Sequence, residues 1–360
     1  MSTPKTKLSI RDRAVFLAAI VKTLLAATGG MVTGLIRSSS QARSYKKYVL
    51  YTIMRAYSKY VPTRIMQATS PTTADTYNKF IQSKSLPSRT STMEDGSTGY
   101  WIGEEDATAV LLFFHGGGYA MSAVPPHFQI LHGIEQLAKS KGCSFSAVVI
   151  EYTLAPATKY PSQLTQAVNA YKHLTEKLDI HPSRIIIAGD SAGAHLSLGL
   201  LSHLTHPQPE LPKTSATEPV AGTLLISPWV TFSTTAASMQ TNRYKDCIDA
   251  GPLEKWSQAF IGDAVQDNYN MPLKASPAWW SNTKSKKICV IAGQDELFVD
   301  DIEAFVGKLK VHRPDVDYFV ADAEPHDSPV LYSMMNLEEA AATRKLREFV
   351  LETCLSIASV

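Results

Sequence analysis

Cysteine is scarce and scattered. The 360-residue chain has four, Cys143, Cys247, Cys289 and Cys354, and no two form a Cys-x-x-Cys pair. That spacing excludes a zinc ribbon or a disulfide framework. Cys289 lies in an apolar, strand-like run and reads as an inert core thiol. An excess of charge of one sign is also missing: 35 Lys and Arg face 33 Asp and Glu, a net +2. With no long basic run, nothing draws the chain to nucleic acid. No Asn-x-Ser/Thr site occurs, which leans away from secretion. The expected setting is intracellular, cytoplasmic or on a membrane such as that of the endoplasmic reticulum. No internal repeat is present, and no signal of oligomeric state. Hydrophobic content of 44% and charged content of 19% are ordinary globular values.

One long apolar run stands out, residues 14–36, in which 16 of 23 residues are apolar. That length could span a bilayer. Lys22 interrupts it, and Gly29, Gly30 and Gly34 weaken its second half. Its large side chains follow a helical stripe: Phe16/Leu17, Ile20/Val21, Leu24/Leu25, Met31/Val32 and Leu35/Ile36. Lys22 falls off the stripe, as in an amphipathic helix. A packed or interfacial helix that does not span is the leading expectation, with peripheral membrane contact through residues 14–36. A membrane anchor and a cleaved signal are its rivals. Arg37, Arg43, Lys46 and Lys47 suit a solvated helix face and equally an anionic membrane surface.

From about residue 98 short apolar runs alternate with segments of helical period. Strands are expected at 109–114, 145–150, 185–188, 222–226, 288–292 and 317–321. Helices are expected near 127–141, 162–178, 192–204, 301–311 and 336–358. Continuous Val/Ile/Leu runs suit strands buried on both faces, hence a mainly parallel α/β sheet with right-handed crossovers. Residues 207–219 read as a surface loop and 232–275 as an insertion. The chain therefore divides into an N-terminal helical segment, 1–95, and an α/β core, 96–360, carrying that insertion.

Two glycine motifs carry the chemistry. The first is Gly189-Asp190-Ser191-Ala192-Gly193, between the 185–188 strand and a helix of small residues. Glycines on both sides of Ser191 let strand and helix meet at a sharp angle, which strains the serine and exposes its hydroxyl. The following helix N-terminus offers free N–H groups to a developing oxyanion. The second motif, His115-Gly116-Gly117-Gly118, directly follows the 109–114 strand. Its glycines let backbone N–H groups turn inward. The rival readings are a glycine turn around a buried serine and a plain glycine loop.

A serine hydroxyl needs a base, and the base an orienting carboxylate. Only His312 and His326 lie beyond position 210. His312 sits in a charged helix end before a strand, the wrong end of the sheet, which leaves His326. Asp295 is the expected acid, directly after the 288–292 strand. Glu296, Asp300 and Asp301 compete with it, and more plausibly cap the next helix.

Together HGGG, GDSAG, the later Gly-x-Asp-x-Leu and a C-terminal histidine resemble the hormone-sensitive-lipase-like branch of α/β-hydrolase esterases. The segment EYTLAPATKYP, 151–161, is a further match. The resemblance covers about residues 98–355. It implies an α/β-hydrolase fold: a mainly parallel central sheet flanked by helices, with a helical cap from residues 1–95 and 232–275. It implies Ser191 as nucleophile, His326 as base and Asp295 as orienting acid. The oxyanion hole would be the N–H groups of Gly117, Gly118 and Ala192, with no metal or organic cofactor. Two departures stand out: the N-terminal segment is longer than in compact members, and HDSP after the base histidine looks more like fungal members.

The function so implied is hydrolysis of an acetyl or short-chain ester of a hydrophobic small molecule. Amide cleavage, or condensation or cyclisation in secondary metabolism, would use the same residues, and a ligand-binding protein without catalysis would keep the fold. Asp190, His115 and His195 read as structural supports. Trp229, Trp279 and Trp280 read equally as pocket or core.

Overall fold

The computed structural model describes residues 7–358. The chain begins with four helices: α1 (Ile10–Thr33), α2 (Tyr45–Tyr60), α3 (Thr63–Thr69) and α4 (Thr73–Lys84). Two short strands follow, β1 (Thr90–Thr92) and β2 (Thr98–Ile102), then β3 (Ala109–Phe114), α5 (Pro125–Ser140), β4 (Phe145–Glu151) and α6 (Ser162–Lys172). Next come β5 (Ile185–Asp190), α7 (Ala192–Thr205), β6 (Gly222–Ile226), α8 (Ser238–Thr241) and α9 (Ala250–Ile261). The chain closes with β7 (Ile288–Gly293), α10 (Val299–Lys310), β8 (Asp317–Ala321), α11 (Ser328–Met334) and α12 (Ala341–Ala358).

The strands form one sheet in the order β1-β2-β4-β3-β5-β6-β7-β8. The pairs from β4 to β8 are parallel. β1 and β2 are antiparallel additions at one edge. Alternate residues of each central strand enter opposite cores: Val110, Leu112 and Phe114 face one layer, Leu111 and Phe113 the other. Burial on both faces explains why these strands read as continuous aliphatic runs.

Chain order places β4 on one side of β3 and β5 on the other. The helices after β3 and β5 therefore leave in opposite directions. Between the carboxyl ends of these strands lies a crevice, the usual binding place of open α/β sheets. Both glycine motifs empty into it.

α1 lies along α2 through small residues, with Ala19, Thr23, Ala27 and Gly30 buried. A methyl at Gly30 would sit 3.1 Å from the Thr52 side chain, so the two helices touch closely there. The large aliphatic stripe that the sequence marks faces the other way. α2 is fixed to the body by Arg55, whose guanidinium donates to the Asp246 carbonyl. α3 and α9 meet where Trp256 Nε1 donates to Thr63 Oγ1 at 3.1 Å.

Candidate active site

Ser191 ends the strand β5 at φ 52°, ψ −115°, a backbone conformation that side chains rarely adopt. Three bonds hold it there: Ser191 N–H donates to Ile226 O at 2.8 Å, and Ser191 O accepts from His195 N–H at 3.0 Å and Trp229 N–H at 3.2 Å. The flanking glycines are needed sterically. A Cβ at Gly193 would lie 1.9 Å from Phe114 O, and one at Gly189 2.4 Å from Gly193 C. Strand and helix pack backbone to backbone, which forces the serine outward.

His326 lies in the loop between β8 and α11. Its Nε2 accepts the Ser191 hydroxyl at 2.8 Å. Its Nδ1–H donates to Glu296 Oε2 at 2.9 Å. The carboxylate on the imidazole is therefore Glu296, not Asp295. The turn after β7 explains the difference. Glu296 N–H bonds back to Gly293 O, and Glu296 Oε1 accepts Gly293 N–H at 3.1 Å. That folds residue 296 over the strand end towards His326. Asp295 points the opposite way, 3.6 Å from Lys245 Nζ. Asp300, in the first turn of α10, accepts Ser238 N–H of α8 and does not cap its own helix, which has no side-chain cap; it takes no part at His326.

A second buried carboxylate, Asp246, braces the base. Its Oδ1 accepts the backbone N–H groups of Cys247 and His326, and its Oδ2 that of Leu297. It thus ties the base loop to the Glu296 turn. Nothing in the 232–275 segment marks this residue as special in sequence. Burial pulls the His326 pKa down, but the Glu296 hydrogen bond and charge, with Asp246 and Asp190 behind, raise it above the ordinary histidine value. Burial likewise raises the Glu296 carboxyl, and the His326 contact pulls it back.

A third acidic contact joins the nucleophile turn to the base loop. Asp327, at φ 50°, hydrogen-bonds through its side chain to Asp190. Burial and the Asp190 charge push Asp327 well above the carboxylate range. Burial works against charge on Asp190 too, but His127, Asp327 and His115 hold it below its ordinary value. The pair therefore shares one proton, with Asp327 as donor.

The HGGG loop supplies the opposite wall. Gly117 and Gly118 have φ of 103° and 61°. Gly117 O accepts from Ala120 and Met121 N–H. The Gly117 and Gly118 N–H groups enter no backbone bond of this loop among the described residues. Ala192 opens α7, where an N–H has no partner within the helix. Gly118 packs under the Trp256 indole: a Cβ there would lie 2.6 Å from its ring. Gln67 of α3 donates to Ala120 O and Ala155 O, clamping the loop from above.

The other singled-out residues sort by contact. His195 is buried, accepts the Tyr119 hydroxyl at 2.6 Å and donates to Asn270 O; burial lowers its pKa to about 4. His115 is equally buried, Nδ1 on Gly116 O, with a pKa lowered to about 4. Trp280 packs edge-on against Phe305, and Trp279 stacks on His206, both away from the serine. Trp229 stacks on Phe298, whose ring meets His326 edge-on at 4.9 Å. The site's walls are thus aromatic, from Trp229, Phe298, Phe232 and Trp256.

Ser191 is only 8% exposed and His326 6%. Among the described residues no cluster of three His, Cys, Asp or Glu could hold a metal. What the arrangement can do is nucleophilic: a strained serine, a hydrogen-bonded imidazole with a buried carboxylate behind it, and N–H donors opposite.

The chain is similar to known esterases. Over 195 residues the chain is 28% identical to an acetyl-hydrolase of Streptomyces hygroscopicus, covering 54% of this chain and 59% of that one. Over 215 residues it is 26% identical to an esterase of Acinetobacter venetianus, covering 58% and 65%. The matches thus span about three fifths of the length of these curated relatives. A crystal structure of an esterase from the bacterial hormone-sensitive lipase family superposes with a TM-score of 0.63 at 25% identity, over 87% of this chain and all of that one. The profile of the alpha/beta hydrolase fold matches residues 111–329, which run from β3 past the base loop. On that match, joined to the sheet order and the elbow at Ser191, the chain belongs to the alpha/beta hydrolase fold family.

Proposed function

We propose that this protein is a serine carboxylic-ester hydrolase acting through Ser191, His326 and Glu296. One observation carries the reading: His326 sits between Ser191 Oγ at 2.8 Å and the buried Glu296 carboxylate at 2.9 Å. Ser191 attacks the ester carbonyl while His326 Nε2 takes its proton, and Glu296 stabilises the imidazolium. The N–H groups of Gly117, Gly118 and Ala192 receive the oxyanion, each such donor being worth about 3 kcal/mol. His326 then protonates the leaving alcohol. Water, deprotonated by the same imidazole, releases the acid and restores the serine.

The aromatic walls and the lid of α3 and α9 suit a compact apolar ester. An acetyl or short-chain ester of a hydrophobic small molecule is the proposed substrate class, in keeping with relatives named acetyl-hydrolase and esterase. The test is a p-nitrophenyl ester series from acetate to decanoate, with fluorophosphonate labelling. Activity concentrated at short chains, and labelling lost in Ser191→Ala, support the reading. Labelling that persists at another serine, or an unlabelled wild type, refutes it.

A further inference from the structure

The outer face of α1 is the least explained surface of the molecule. The helix buries small residues against α2 and turns its large aliphatics to solvent. Leu17 is 66% exposed, Leu24 60%, Leu25 66%, Val32 69% and Leu35 75%. At 100° per residue these share the side opposite Ala19, Thr23, Ala27 and Gly30. No charged residue falls on that side. Arg13 flanks it on one edge, Arg11 and Lys22 on the other. Such a patch is larger than a water-facing helix normally carries.

Charge identifies what covers it. Residues 1–74 contain twelve Lys or Arg and one acid, Asp12, a net +11. The remaining residues contain 23 basic and 32 acidic, a net −9. The single acid is neutralised within the layer by Arg64. Tyrosines mark both ends of α2: Tyr45 is 40% exposed and Tyr60 37%, with Lys22 over the Tyr60 ring. Amphipathic rings and cations around an apolar face are the composition of a bilayer interface. A second copy of the chain would instead set two strongly positive layers against each other.

We propose that α1 docks this protein on an anionic bilayer, lying in the plane of the interface. The helix is 24 residues, about 36 Å at 1.5 Å per residue, and long enough to cross. Its C-terminal half is engaged with α2, however, its first turn is tied to α3 by the Asp12–Arg64 ion pair, and α2 is pinned to the body through Arg55 and the buried Tyr48 and Tyr51. A helix held flat on the body inserts its outer face and does not span. The Asp12–Arg64 pair keeps α3, and with it Trp256 of α9, beside the docked helix.

The experiment is co-sedimentation of the full chain with extruded vesicles of phosphatidylcholine alone and of phosphatidylcholine with 30% phosphatidylserine. Binding is expected to the anionic vesicles, to weaken with salt, and to fall at least tenfold in Leu24→Glu/Leu25→Glu. Arg11→Glu/Lys22→Glu should lose roughly fivefold per cation removed. Leu24, Leu25 and Arg11 point away from the packed interface and Lys22 only overlies the half-exposed Tyr60 ring, so thermal unfolding should stay close to the wild type, and this control is independent of any esterase activity. Absence of binding to either vesicle overturns the proposal. So does a wild-type dimer by light scattering that Leu24→Glu/Leu25→Glu converts to monomer. Retention of the wild type in cell membranes through alkaline carbonate overturns the in-plane geometry.

Discussion

Exchanging the two adjacent carboxylates at positions 295 and 296 is the sharpest test of the site. Glu296→Gln keeps the side-chain volume and a hydrogen-bonding oxygen but removes the charge behind His326. Glu296 is wholly buried, so neither water nor salt screens that charge. Its loss leaves the imidazolium of the transition state unpaired in a low-dielectric site. Removing the equivalent charge in serine-protease triads costs roughly ten-thousand-fold, or about 5.4 kcal/mol at about 1.36 kcal/mol per tenfold. A fall in kcat of that order is expected here. Asp295→Asn cuts the largely buried contact with Lys245, which touches neither His326 nor Ser191. Its activity should stay within about fivefold of the wild type. The assay is kcat on p-nitrophenyl butyrate with thermal unfolding as the folding control. A Glu296→Gln enzyme that keeps a tenth of its activity, or an Asp295→Asn enzyme that is the worse of the two, refutes the geometry argued above.

Three further outcomes are expected. The base must be neutral to accept the Ser191 proton, and its pKa is raised, so kcat/KM should fall on acidification through a value above about 6.5; a limb below 6 contradicts this. Gly193→Ala forces a methyl onto the Phe114 carbonyl and should cost about 3 kcal/mol or more, read as a Tm drop of about 4 °C or more; an unchanged melt means that strand and helix are not in contact. Asp327 has a raised pKa in the fold, so its contribution is full below the unfolded carboxylate pKa and is lost as pH rises through the folded value. Asp327→Asn donates the same bond to Asp190 without a titratable proton and tolerates the left-handed backbone. It should therefore melt higher than the wild type at pH 9 but not at pH 4, and equal pH dependence of the two would show that the proton is not shared.

The parallel strands were legible because burial on both faces leaves an unbroken aliphatic run, as in Val110–Phe114 or Ile185–Ala188. β1 and β2 were not. They form the antiparallel edge, β1 is Thr-Ser-Thr, and β2 mixes Thr, Gly and aromatics, so neither shows a strong period. Helix α6 ended at Lys172, and the expected continuation to 178 became a short π-turn, His173–Lys177. Ser191 and the HGGG loop were readable because glycine reports a steric requirement directly. Each of those glycines faces a neighbour that would collide with a side chain: backbone at Gly189 and Gly193, the Asp190 carboxylate at Gly116, Met121 at Gly117 and the Trp256 ring at Gly118.

The misplaced acid and the outward stripe of α1 share one physical cause. Sequence states which residues recur on a face, but what covers that face is decided elsewhere in the chain. At residues 295 and 296 two carboxylates follow one strand, and a single turn sends them to opposite sides. The choice is made by Gly293 N–H and Asp246, the latter some fifty residues earlier, which hold Glu296 and Leu297 inward. In α1 the stripe of large side chains fits a packed or an interfacial face alike, and nothing in the stripe itself chooses between them. Here α2 offers a flat row, with Thr52 against Gly30 and Tyr45 and Tyr48 against Gly34, that accepts only small residues. Close approach of the two helices therefore selects Ala19, Thr23, Ala27 and Gly30, and the aliphatics are left outside. A helix that satisfies its protein contact with alanine, threonine and glycine leaves its leucines facing outward, within a segment, residues 1–74, that carries eleven net positive charges.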